Sequence, residues 1–159
     1  LIALINLLKD LYSTILIDIG SCLNPITSEI LKISNKIYIV NRVDLLSMRQ
    51  TNRILEFCDE LGIPQSNTEL VLNHMSIKNV ITVSDVEKAI KKKIAYEIPY
   101  EAQLNNLLIN NRNLVNEKFK PVFNLPFGKW KKDLGLEPIS DSKLISKTKK
   151  SIWNRLRKS

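Results

Sequence analysis

The sequence predicts an α/β fold of three layers, in which helices cover both faces of a mostly parallel sheet. Short apolar segments rich in β-branched residues alternate with amphipathic segments four times along the first two thirds of the chain. This alternation is typical of βαβ units. The apolar segments are nearly continuous, which indicates strands buried on both faces. A chain of 159 residues is long enough for one such domain.

Each element is predicted from its own pattern. An opening helix is indicated by apolar residues at i, i+3, i+4 and i+7 spacing, which are Leu1, Leu4, Ile5 and Leu8. Short apolar runs predict the strands Ser13–Ile19, Lys36–Val40, Thr68–Leu72 and Ile94–Ile98. Apolar stripes at helical spacing predict the helices Ile26–Ile33, Ser47–Leu61, Ser84–Lys92 and Glu101–Leu108. Because the sequence starts with Leu1 inside a helix, we expect a cut chain or a fragment.

Three helix ends carry capping signals. Asn24 followed by Pro25 is typical of an N-cap with proline at the first helical position. Gly62 stands where the C-cap of the second long helix is expected. Ser84, with Glu87 three residues later, predicts a capping box at the start of its helix.

Charge divides the chain into three parts. Basic and acidic side chains balance over residues 1–116, so the whole net charge of +8 lies in residues 117–159. Residues 1–116 are the predicted domain, and residues 117–142, with their prolines and glycines, are a predicted irregular linker. Residues 143–159 form a basic tail that is a candidate for an anionic surface.

Composition excludes several classes of protein. Cys22 and Cys58 lie far apart, so neither a disulfide framework nor a zinc site is predicted, and a reducing cytoplasm is the expected compartment. His74 is the only histidine, which excludes a multi-histidine metal site. The sequence contains neither a continuous apolar run of about 18 residues nor a secretory leader pattern.

Two polar residues follow predicted strands, where function gathers in open α/β sheets. Asp18 ends an apolar strand, and its carboxylate is suited to Mg²⁺ or, alternatively, to capping a loop. Asn73 ends another strand; its amide suits a purine edge, although asparagine is also an ordinary turn residue. We interpret His74 as a loop residue rather than a ligand or a base.

Residues 41–44 allow a guanine-binding interpretation. Asn41-Arg42-Val43-Asp44 is similar to the Asn-Lys-x-Asp motif of GTPases, but arginine replaces the lysine and no second guanine signal follows. A GTPase is therefore the less favoured interpretation. The chain has only four glycines, so no G-x-x-x-x-G-K-[ST] phosphate loop can be written in it.

The order of these segments resembles the C-terminal part of MinD/ParA-type ATPases, the deviant-Walker P-loop family, and most closely the TadZ/CpaE branch of pilus assembly. The similarity runs from Tyr12 to about Val115. The segments that carry it are STILIDIG from residue 13, KIYIV from 36, GIPQSNTELVLNH from 62, ITVSDVEKAI from 81 and IPYEAQLNNLLINNRNLV from 98.

The resemblance implies a partial P-loop NTPase fold and specific site residues. Asp18 would occupy the acidic Walker B-like position, both catalytic and metal-binding. Asn73, Pro99 and Tyr100 would line the adenine pocket. ATP and Mg²⁺ are the implied cofactors of an intact parent ATPase. Because the phosphate loop is missing from this chain, we expect it to bind ATP very weakly and to be inactive alone.

The resemblance also implies partners. The family forms nucleotide-dependent homodimers, and the TadZ/CpaE branch acts with pilus-assembly components. The alternatives are a ParA-type DNA-partition ATPase and a nucleotide-dead interaction module. Lys143–Lys158 combines seven basic residues with apolar residues near one helical face. This pattern suits contact with an anionic membrane surface; a solvated, disordered tail is the alternative, and nucleic acid is less favoured. The expected location is cytoplasmic, peripheral at the inner face of the cell membrane.

Overall fold

The computed structural model describes residues 1–74, 80–102 and 128–135. The elements in chain order are α1 (Ile2–Lys9), α2 (Pro25–Lys32), β1 (Ile37–Arg42), α3 (Leu45–Glu60), a 3-10 turn (Gln65–Asn67), β2 (Thr68–Asn73), α4 (Val83–Ile90) and β3 (Ile94–Ile98). A further helical segment covers 128–133. The predicted helix Glu101–Leu108 falls almost entirely outside the described residues, as does the basic tail.

The sheet is parallel, with the strand order β1-β2-β3. Its central strand carries Leu70, Val71 and Leu72, each without exposed surface. A strand this apolar on both faces requires cover on both sides. The predicted α/β architecture is therefore confirmed, with three of its four predicted strands in the sheet.

The first face of the sheet packs against α3 and α4. Its core consists of strand residues that alternate with outward-facing ones and of the inward stripes of the two helices. The buried members from these elements are Ile37, Ile39, Leu70, Leu72, Met48, Cys58, Val86 and Ile90, and they are joined by Leu31 of α2 and by Ile63, which follows α3. Ile54, Leu55 and Leu61 pack against this core and complete the apolar stripe predicted for α3.

A register shift between β2 and β3 places Tyr96 on the second face of the sheet. Leu70 pairs with Ile94, but the next residue, Val71, pairs with Tyr96. Ile94 therefore packs toward the first-face core, whereas Tyr96 stands on the opposite face. There it meets Tyr38 and Trp130. The segment 128–135 thus covers part of the second face.

The helix ends confirm two of the three capping signals. The backbone N–H of Thr27 donates to Asn24 Oδ1 at 2.9 Å, at the start of α2. Gly62 has a φ of +72°, directly after the α3 C-cap, where a side chain would be strained. The Ser84 prediction was wrong, because the helix starts one residue earlier. Thr82 is the N-cap and shares the capping box with Asp85.

The first predicted strand was also wrong. Residues 13–19 form no ladder with β1 or any other described residue. Leu16 is 70% exposed and Ile17 41% exposed. Two cavities of about 700 and 620 Å³ are lined jointly by this segment and by β1. An apolar run specifies burial, but a strand also needs a neighbour that accepts and donates its backbone hydrogen bonds.

Candidate functional site

The carboxyl ends of the three strands form one row. Arg42 at the end of β1 stands in register with Asn73 at the end of β2, and Asn73 stands in register with Ile98 at the end of β3. Pro99 and Tyr100 follow directly and are partly buried. The fold therefore brings the predicted Asn73 and the predicted Pro99–Tyr100 pair to neighbouring positions on one sheet edge.

Hydrogen bonds join the ends of β2 and β3 just beyond Asn73. The backbone N–H of His74 donates to the Ile98 carbonyl at 2.9 Å, which extends the ladder by one bond. The His74 side chain adds a contact of 3.1 Å between its Nε2 and Glu97 Oε2. No pattern in the sequence indicates the role of Glu97, because its partner becomes visible only once the register of β2 and β3 is known.

The end of β1 is organised by a buried amide. Asn41 has no exposed surface, and its Oδ1 accepts a hydrogen bond from Thr51 Oγ1 at 3.1 Å. Its Nδ2 has no hydrogen-bond partner among the described residues. A buried amide that is only half satisfied destabilises the fold relative to a fully paired one. The hydrogen bond at Oδ1 connects β1 to α3.

The Asp44 carboxylate is occupied by the protein itself. Its Oδ1 accepts the backbone N–H of Ser47 at 2.8 Å and caps α3. Its Oδ2 lies 3.1 Å from Arg42 Nε. Because both oxygens already have partners, the contacts argue against the guanine-binding interpretation of residues 41–44.

Asp18 lies beside β1 and not in the row of residues at the strand ends. Its carboxylate is exposed, and its Oδ1 accepts the backbone N–H of Gly20 at 3.0 Å. It lines the cavity of about 620 Å³ together with Arg42, Gln50 and Thr51. The observed contact is the loop-capping one anticipated as the alternative to a metal role. Arg42 both lines this cavity and pairs with Asn73, so it lies between the two predicted residues.

The described part of the chain contains no cluster of three His, Cys, Asp or Glu side chains placed to hold a metal ion. Mg²⁺ at nucleotide sites is commonly held by one or two carboxylates together with the phosphates. Asp18 provides such a single carboxylate. In the same ranges, no helix is long and apolar enough to cross a membrane.

Comparisons with known proteins find similar structures. No known family model matches the sequence, and no curated protein matches it. A ParA family ATPase from Chlorobium tepidum TLS matches with a TM-score of 0.69 and 25% identity, over 80% of this chain and 53% of that one. The MinD cell division protein of Aquifex aeolicus matches with a TM-score of 0.54 and 20% identity, over 69% and 47%.

A third match is the MinC:MinD cell division protein complex of Aquifex aeolicus, with a TM-score of 0.51 and 19% identity, over 66% of this chain and 44% of that one. The chain thus spans about half the length of each of these solved structures. It has the α/β fold of ParA- and MinD-like ATPases.

Proposed function

We propose that this chain belongs to the MinD/ParA-type ATPases and forms the C-terminal part of their nucleotide-binding domain, carrying the edge that contacts the adenine. The observation that carries the proposal is the in-register row of Arg42, Asn73 and Ile98. That row lies at the carboxyl edge of a parallel sheet, where ligands of open α/β folds bind. The similarity to the ParA family ATPase over 80% of the chain supports it.

The residues at this edge suit a purine base. The amide of Asn73 offers both a donor and an acceptor, which a purine ring edge requires. Pro99 fixes the backbone as it leaves β3, and Tyr100 adds an aromatic ring next to it. Asp18 is proposed for Mg²⁺, which neutralises phosphate charge when bound.

The chain carries residues suited to the adenine base and to Mg²⁺, but its sequence contains no phosphate-loop motif. The backbone N–H groups of a glycine-rich loop, together with a lysine, provide most of the binding contacts to a nucleotide's phosphates. None of the four glycines lies in such a loop motif. We therefore propose that the intact protein binds ATP and Mg²⁺, whereas the chain alone binds ATP weakly and does not turn it over.

The biological role proposed is localisation of an assembly machine, in the manner of the TadZ/CpaE branch. This part of the proposal depends on the segment similarities from Tyr12 to Val115. A nucleotide-dependent homodimer and contacts with pilus-assembly components are proposed with it. The MinC:MinD neighbour is itself a complex of two different proteins, in keeping with a partner-binding role.

The base contact is tested in the intact protein by calorimetry with Mg·ATP. Replacing Asn73 by Ala leaves part of the adenine edge unpaired, so ATP binding should weaken by about 1–2 kcal/mol. Asn35→Ala is the matched control, because Asn35 is exposed just before β1, at the opposite edge of the sheet. Equal affinities for both variants and wild type would contradict an adenine contact at Asn73.

The same protein distinguishes the metal role. Asp18→Asn should lower Mg²⁺-dependent turnover more than it lowers ATP affinity, with Asp10→Asn as the control. If neither Asp18→Asn nor Asn73→Ala changes binding or turnover, the nucleotide-dead interaction module is the better interpretation. DNA binding without sequence preference by the intact protein would instead favour the ParA-type partition role.

The tail carries the proposed peripheral location, and it lies outside the described residues. Several Lys and Arg side chains near an anionic bilayer contribute about 1 kcal/mol each. Co-sedimentation of the chain with anionic and neutral vesicles should show binding to the anionic ones alone, lost at high salt. Binding that ignores lipid charge would contradict the membrane surface as partner.

A further inference from the structure

The segment 128–135 lies in the range that the sequence assigned to a linker, yet it packs on the second face of the sheet. The ring centroid of Trp130 lies 5.0 Å from that of Tyr38 and 5.5 Å from that of Tyr96. The two tyrosines are 6.1 Å apart. These separations are those of interacting aromatic pairs. The three rings form one cluster, called the aromatic cluster below.

Polar contacts fix the same segment to β3. The Tyr96 hydroxyl donates to Asp133 Oδ2 at 2.7 Å. Lys129 Nζ lies 5.4 Å from the centre of the Tyr96 ring, within cation–π range. Burial, together with the Asp133 carboxylate, raises the pKa of Tyr96 well above its usual value, so the phenol stays a donor. Tyr96 is therefore held by three residues of the segment.

Tyr96 stands close to the proposed adenine edge along its own strand. Only Glu97 separates it from Ile98, which is in register with Asn73. Tyr96 and Ile98 share a face of β3, and Val71 and Asn73 share that face of β2. A displacement of Tyr96 would consequently move the residues that lead into Pro99 and Tyr100.

We propose that residues 128–135 are part of the nucleotide-binding domain and that Trp130 is a positioning residue for the adenine edge. It acts through Tyr96, which it holds against Tyr38, and so fixes the exit of β3 toward Pro99 and Tyr100. This inference rests on the proposed function and adds to it a contribution from beyond residue 116. The segment does not contact the base; it sets where the base-contacting residues lie.

The test is a pair of titrations of the intact protein, one with Mg·ATP and one with Mg·tripolyphosphate, a probe without a base. Trp130→Ala should weaken ATP binding about tenfold and leave tripolyphosphate binding unchanged. Trp130→Phe keeps a ring in the cluster and should restore most of the ATP affinity. Trp153→Ala is the matched control in the tail and should bind both probes as the wild type does.

Two milder variants keep the test decisive if Trp130→Ala does not fold. Tyr96→Phe removes the hydrogen bond to Asp133 and Asp133→Asn weakens it, while both keep the rings. Each should lower ATP affinity in the same base-selective way by a smaller factor than Trp130→Ala. Equal loss for ATP and tripolyphosphate would show a general effect on folding and would overturn the positioning role. Unchanged ATP affinity in all three variants would overturn it too.

Failure of the proposed function would look different. An intact wild-type protein that binds tripolyphosphate but shows no preference for ATP contradicts the adenine edge itself. Docking of the segment is measured separately, by Trp130 fluorescence in the chain carrying Trp153→Phe. A blue-shifted emission that moves to the red with Tyr96→Ala supports docking, whereas emission insensitive to Tyr96 contradicts it.

Discussion

Two regions of the molecule, the sheet with α3 and α4 and the amino-terminal residues 1–23, are both rich in apolar residues but differ in burial. In the first region Leu70, Val71 and Leu72 have no exposed surface. In the second, Leu1, Leu4, Leu7 and Leu16 are each more than half exposed. The difference shows that an apolar pattern indicates a segment suited to burial, whereas the elements packed around the segment determine whether it is buried. Both regions can be tested with the same substitutions.

The largest difference is expected for a leucine in each region. Leu70→Ala in β2 removes a fully buried side chain and should lower the free energy of unfolding by about 2–5 kcal/mol. Leu16→Ala, at a position 70% exposed, should change it by less than about 0.5 kcal/mol. Urea unfolding followed by circular dichroism measures both. Similar losses for the two variants would mean that residues 13–19 are buried in solution.

A smaller effect is expected at the helix ends. α3 has a side-chain cap, since Asp44 accepts the Ser47 N–H, whereas Leu1, the N-cap of α1, makes no such hydrogen bond. Asp44→Ala should therefore lower the free energy of unfolding by about 1 kcal/mol. Asp10→Ala, at the other end of α1, should be nearly neutral. Thermal unfolding of both variants checks this, and an unchanged midpoint for Asp44→Ala would show that the cap contributes nothing measurable.

The smallest effect is a pH dependence located at α4. Hydrogen bonds from the Thr82 hydroxyl and N–H hold the pKa of Asp85 below its usual 3.8. The Ile94 N–H, followed by Lys93, holds the pKa of Glu87 below its usual 4.5. A depressed pKa in the folded state stabilises the protein above the unfolded pKa, and this contribution is lost as the pH falls.

Urea midpoints should therefore drop between about pH 5 and pH 3. The double variant Asp85→Asn/Glu87→Gln should show a shallower drop than the wild type. Asp59→Asn, on the exposed side of α3, is the control and should follow the wild-type profile. A double variant whose midpoint falls as steeply as that of the wild type would place the acid sensitivity elsewhere.

The sequence predicted some elements of the fold correctly and others wrongly, and the difference again depends on neighbouring elements. The Asn24 cap was found as predicted, because it depends on residues close together in the chain. The strand Ile94–Ile98 was found as predicted because β2 pairs with it. The shift of the α4 cap from Ser84 to Thr82 is a boundary error of two residues. The predicted strand Ser13–Ile19 failed because a strand requires a neighbour, which no local pattern provides.

Part of the candidate site was predicted from the sequence, and part of it became visible only in the structure. Asn73 was predicted from a strand end, whereas Pro99 and Tyr100 were predicted from the family resemblance, and the register placed Asn73 beside the exit of β3. Asp18 was also predicted at a strand end, but residues 13–19 form no strand. The roles of all four residues remain predictions. The Glu97 contact with His74 and the packing of Trp130 were not predicted, because both join residues more than 20 positions apart. Prolines and glycines around Trp130 indicated an irregular segment and concealed the docking.

The register shift at Val71 means that β3 contains one more residue than its ladder uses. Ala95 is that spare residue, since Ile94 and Tyr96 stand opposite consecutive residues of β2. Deleting Ala95 would thus preserve the phase of the strand, leaving Tyr96 opposite Val71 and Ile98 opposite Asn73. Deleting Glu97 instead would put the strand out of phase at the adenine edge. Tolerance to shortening therefore differs sharply between two positions only two residues apart.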